Sequence, residues 1–93
     1  MGYRIEVSPE VRKEIKALPG HVRTQARQLV RALGESPRPS RAKELRGKPN
    51  IYRIWLAGCW RIAYEVDDEL QRIRVLRVRR KEGMDYESLE TSE

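Results

Sequence analysis

Arg53 and Trp55 stand two residues apart in a segment that alternates as a strand does, so their side chains leave one face. Arg61 follows a short Ala57-Gly58 turn and points the same way if the hairpin is tight. Arg79, Arg80 and Lys81 end the next basic run, and Tyr86 comes five residues after Lys81. Arg46 and Lys48 flank Gly47 in the turn ahead of Arg53 and add phosphate-binding charge. Cations and rings presented on a small sheet suit RNA: guanidinium groups bind phosphate, and rings stack on bases.

Such a surface can also cut RNA without a metal. The ribose 2′-OH attacks the adjacent phosphorus, leaving a 2′,3′-cyclic phosphate and a 5′-OH. The phosphoryl charge must be stabilised, the nucleophile held in line and two protons moved. Fixed arginines meet the first need. The third is poorly supplied. His21 is the single histidine and falls at the turn between two helices, where it reads as a surface residue. Arginine stays protonated and shuttles no proton. Lys81 and Tyr86 remain, both weak acids near neutral pH.

The same residues have structural uses. Arg61 can pair with Glu65 or Glu44. Trp55 can cover a sheet edge instead of stacking on a base. Trp60 lies on the other strand face and reads as core. Arg72, Arg74 and Arg77 can be solvated or ion-paired along a strand. Cys59, the one cysteine, sits among apolar residues and reads as a small packing residue.

The elements that must position these groups follow from periodicity. Tyr3–Val7 alternates as a half-buried strand. Ser8-Pro9-Glu10 reads as an N-cap, an N1 proline and a first-turn acid. Val11, Ile15 and Leu18 continue at helical spacing until Pro19-Gly20. A second helix runs from about His21 to Leu33, with Gly34 as its C′ residue. Residues 36–40 form a proline-rich loop, and Lys43–Arg46 is short and extended. Strands are expected at Ile51–Ala57, Cys59–Val66 and Leu70–Arg79, the last central because it is apolar on both faces. Met84–Leu89 has the pattern of a weak helical turn. The expected fold is α+β, in the order β-α-α-β-β-β. Its sheet is antiparallel-rich, with a helical hairpin packed on one face.

Composition narrows the function classes. The 93 residues form one expected domain, 1–93, ending in a short acidic tail at 82–93. Residues 1–81 hold all 20 basic residues against 9 acids, and the tail holds 5 acids with no base. A basic body points to a polyanion partner. One cysteine allows no internal disulfide, and the opening MGYRIEVSPE has no apolar signal segment, so a cytoplasmic protein without a membrane span is expected. No pattern for a metal site, a nucleotide loop or a Ser/His/Asp triad is present.

The combined pattern resembles the RelE/ParE superfamily of toxins over nearly the whole chain. The resemblance is carried by the helical hairpin ending at Leu33-Gly34-Glu35-Ser36-Pro37-Arg38 and by Lys43-Glu44-Leu45-Arg46-Gly47-Lys48-Pro49, similar to a K-x-L-x-G turn. It continues through Tyr52-Arg53-Ile54-Trp55-Leu56, Trp60-Arg61-Ile62-Ala63-Tyr64 and the last strand leading to Tyr86. It implies a type II toxin that cuts mRNA in the A site of the translating ribosome by 2′-OH attack, with no metal or cofactor. Implied partners are a cognate antitoxin protein, and the ribosome with its rRNA and mRNA. By position, Arg61 resembles the second-strand arginine of such sites, Lys81 or Arg80 the late-strand arginine, Tyr86 the tail tyrosine and Arg53 the first basic residue. Trp55 stands where RelE-type sites carry a second lysine, and Arg53 keeps charge without proton-transfer ability. The alternatives are a ParE-like inhibitor of DNA gyrase, or a weakened toxin that mainly binds its antitoxin.

Overall fold

The computed structural model describes residues 2–56 and 59–80. Its order is β1 (Arg4–Val7), α1 (Pro9–Lys16), α2 (Gly20–Leu33), β2 (Lys43–Glu44), β3 (Ile51–Leu56), β4 (Trp60–Asp67) and β5 (Arg72–Arg80). The strands form one sheet in the order β1-β5-β4-β3-β2. β1 runs parallel to β5, and every other pair is antiparallel. The expected α+β class holds, and β5 lies inside the sheet as its two-sided apolar pattern required.

The hairpin forms for local reasons. The Ser8 side chain accepts the Val11 N–H at 3.2 Å, with Pro9 and Glu10 in the first turn of α1. Arg23, on α2, donates from Nη1 to the Lys16 and Leu18 carbonyls at 3.1 and 3.5 Å, capping the end of α1 and holding the two helices together. Val11, Ile15 and Leu18 meet Val22, Ala26, Leu29 and Leu33 over Ile54, Leu56, Ile62, Tyr64, Val66, Ile73, Val75 and Val78, all buried. Among the described residues, no helix is long and apolar enough to cross a membrane.

Three local expectations change. Gly34 closes α2 in right-handed geometry (φ −62°), so it is not there for a left-handed cap. It is buried, and a Cβ added to it would stand 3.2 Å from the Tyr3 carbonyl oxygen. Close approach of the β1 chain is what asks for glycine. Cys59 is exposed and packs no core. Alternation also fails in β5: Ala63 faces Arg77 while Tyr64 faces Val75, so Leu76 is an extra residue in the ladder. This bulge turns Arg77 to the face away from the helices and keeps Val78 in the core.

The far face carries only a small apolar cluster, Ile51 and Ala63 beneath Leu45 and Leu76. Among the described residues, no helix covers the remainder of that face. Ala57-Gly58, Lys81, Tyr86, the Met84–Leu89 turn and the acidic tail lie outside the described residues.

Candidate functional site

Cross-strand register builds the far face in rows. Lys43, Arg53, Ala63 and Arg77 are successive partners across β2, β3, β4 and β5. Trp55, Arg61 and Arg79 form the next row. Adjacent strands lie about 4.8 Å apart and same-face rows about 7 Å apart, so these groups share a patch the size of one or two nucleotides. The Arg61 guanidinium carbon sits 4.1 Å from the centre of the Trp55 ring, a close cation–π contact. This stacking, rather than an ion pair with Glu65 or Glu44, is what the described geometry gives Arg61. Glu44 instead accepts the Asn50 N–H at 2.9 Å, and Glu65 faces Arg74 at 3.8 Å.

Charge on this face divides in two. Toward β1, acids match the bases: Arg72 lies 3.8 Å from Glu6 and 3.6 Å from Asp67. Burial raises the Glu65 carboxyl above its ordinary value, with Arg74 and Arg72 opposing. Toward β2, the bases lack such acids. Lys43 and Arg53 make no ion pair among the described residues, and Arg77 makes one hydrogen bond, from Nη1 to the Leu76 carbonyl at 3.3 Å. Arg53 and Arg77 flank Ala63 from strands about 10 Å apart, a span that one bound phosphate can bridge.

The other candidates are placed less centrally. Arg46 and Lys48 lie in the β2–β3 turn, which is anchored by the Leu45 N–H on the Ile51 carbonyl at 2.8 Å. They therefore sit at the end of β3 opposite Trp55. Arg79 shares the Arg61 row in register, but its guanidinium is taken by Glu14 of α1, with Nη2 at 2.9 Å. Arg80 pairs with Trp60 on the helix side of the sheet, its guanidinium carbon 5.6 Å from the ring centre. The structure thus does not bring Arg80 to the Arg61 face, because one step along a strand reverses the face. Lys81 and Tyr86 lie outside the described residues. Sequence reading had missed Lys43 and Arg77. The spacing Ile73-x-Val75-x-x-Val78 was the signal for Arg77, since it shows apolar alternation broken once.

Among the described residues no group of His, Cys, Asp and Glu could hold a metal ion. The patch itself offers lysine, arginine and tryptophan, which can bind phosphate and stack but do not exchange protons readily near neutral pH.

Fold and face together define a small basic α+β domain with an open, cation-rich sheet. The family model described as the ParE toxin of the type II toxin–antitoxin system parDE matches residues 5–84. The free Escherichia coli toxin RelE, solved as an arginine-to-alanine double mutant, is 31% identical with a TM-score of 0.79, over 95% of this chain and 93% of that one. A chain of the intact E. coli RelBE toxin–antitoxin complex matches at 32% identity and TM-score 0.74, over 84% of this chain and 95% of that one. The archaeal RelE–RelB complex of Pyrococcus horikoshii shares the fold at 22% identity and TM-score 0.74, over 90% and 100%. No curated protein matches. The chain belongs to the RelE/ParE family of type II toxin–antitoxin toxins and stands closer to the RelE branch.

Proposed function

We propose that this toxin is a metal-independent endoribonuclease that cuts mRNA on the translating ribosome by 2′-OH attack, and so inhibits translation. The observation that carries the reading is the Trp55–Arg61 stack beside the unneutralised Arg53, Arg77 and Lys43. Arg61 stabilises the charge that builds on the phosphoryl oxygens, and its seat on Trp55 restricts it beforehand. Trp55, 38% exposed, offers ring surface to a base. Arg53 anchors a neighbouring phosphate. Proton transfer is assigned to Lys81 and Tyr86, both weak acids near neutral pH. A surface whose proton donors are this weak acts slowly alone, and the ribosome supplies the in-line geometry.

The cytoplasm is where such a toxin meets its substrate. Its proposed inhibitor is a cognate antitoxin, as in the RelB-bound relatives. A groove between β1 and the helices has the matching chemistry: Ile5, Ile15 and Val30 line it beside Arg12, Arg27 and Arg31. An amphipathic acidic segment would satisfy both.

The test is cleavage of ribosome-bound mRNA by purified protein. A-site cuts ending in 2′,3′-cyclic phosphate are expected, and Arg61→Ala should reduce them by at least about a hundredfold, the scale of losing one charge-stabilising donor. Intact mRNA combined with inhibited DNA supercoiling would replace this reading with gyrase inhibition, which the Trp55-for-lysine change favours. Intact mRNA and normal supercoiling would leave a toxin that only binds its antitoxin.

A further inference from the structure

One carboxylate of the helical hairpin reaches the sheet. Glu14 Oε1 accepts the backbone N–H of Val78 at 2.9 Å, and Oε2 accepts Arg79 Nε at 3.0 Å. β1 pairs with β5 only over Arg72–Val75, so among the described residues the outer part of β5 has no strand on that side. There the Val78 amide meets Glu14 where a further strand would have supplied a carbonyl. The same side chain takes the one guanidinium that register places beside Arg61. Glu14 is only 19% exposed, so its pair with Arg79 is partly shielded from solvent.

We infer that Glu14 is a positioning residue for the cationic face. It fixes the free edge of β5 and withholds Arg79 from phosphate. RNA is therefore gripped through Arg61 and the Arg53–Arg77 pair, with Arg79 held in reserve as structure. An acid set behind a phosphate-binding row reduces charge at one chosen position, while Arg61, held on Trp55, keeps its place. This assignment rests on the RNA-binding reading above.

Binding of a short 2′-O-methylated single-stranded RNA, which cannot be cleaved, tests it across a salt series. Each added phosphate contact steepens the fall of log K with log salt by about 0.7 on a single strand. Glu14→Gln keeps an acceptor for Val78 but releases Arg79, so the slope should steepen by about 0.7. Glu14→Gln/Arg79→Ala should return to the wild-type slope. An unchanged slope in Glu14→Gln, or a steeper slope that survives in the double variant, overturns the withholding of Arg79. If the wild-type protein binds no RNA, the RNA reading itself fails, and hydrogen exchange then judges the edge clamp. The Val78 amide should exchange severalfold faster in Glu14→Ala than in Glu14→Gln. Equal protection in both would overturn the clamp.

Discussion

Trp55 and Arg61 form a unit at the residue scale. A ring under a guanidinium contributes about 0.5–1 kcal/mol at an exposed site and more where water is excluded, and Arg61 is half-buried with its Nε shielded from solvent, so the stack narrows its rotamers. A lysine at this position would add a phosphate-binding charge. Tryptophan adds no charge, but it can order its neighbour and stack. Trp55→Ala should therefore weaken single-stranded RNA binding by roughly tenfold or more, the scale of one lost base stack. Trp55→Phe, which keeps a ring face, should lose much less. Fluorescence anisotropy with a labelled oligonucleotide separates the two, and equal losses would remove the stacking role. Arg61 and Arg53 were legible in the sequence because each lies on a clean period-two strand. Arg80 was misplaced for the same reason: alternation is unforgiving, and its face is set by Trp60 across the ladder.

Elements explain the remaining differences. Amphipathic spacing, the Ser8 cap and Pro19-Gly20 made both helices readable, since each signal is local. The bulge at Leu76 left only one trace in the sequence, the broken Ile73-x-Val75-x-x-Val78 alternation, because its position depends on which strand lies opposite. It decides that Arg77, not its neighbour, joins the Arg53 row. Gly34 teaches the same lesson. A glycine after a helix suggests a left-handed cap, yet here the backbone is right-handed, and Tyr3, 31 residues back in sequence and just ahead of β1, crowds it. Two glycines next to helix ends should therefore respond oppositely to alanine. Gly34→Ala forces the Tyr3 carbonyl outward and should cost about 1–3 kcal/mol, as overpacking does. Gly20→Ala meets nothing within 4 Å and should add about 0.4–1 kcal/mol by restricting the unfolded chain. Urea unfolding midpoints measure both. A neutral Gly34→Ala would mean that β1 yields easily.

Whole-molecule integrity depends on a corner on the opposite side of the sheet from the cationic patch. Arg38, in the loop after α2, donates to both Asp68 oxygens at 3.1 and 2.8 Å and to the Tyr52 hydroxyl at 2.7 Å. The Tyr3 hydroxyl donates to Asp68 at 2.7 Å, and that of Tyr64 to the Pro37 carbonyl at 2.7 Å. β1, the loop and the β4–β5 turn are thus tied together, which keeps the sheet rigid beneath its open face. Two groups of opposite character make this corner pH-sensitive. Arg38 and then Tyr3 hold the Asp68 carboxyl below its ordinary value. Its contribution is therefore present above the unfolded value near pH 4 and is lost as pH falls through the lower folded value. Burial raises the Tyr64 phenol above its ordinary value of 10.0. Its contribution is present below that pH and is lost as pH rises, when the unfolded chain releases the proton more readily. The hydrogen bond of Tyr64 adds about 1 kcal/mol. The stability difference between wild type and Tyr64→Phe should be flat below about pH 10 and shrink above it. That between wild type and Asp68→Asn should shrink below about pH 4 instead. Urea midpoints collected across pH read both limbs. If the Tyr64→Phe difference stayed constant into strong alkali, the buried phenol would not be what limits the protein there.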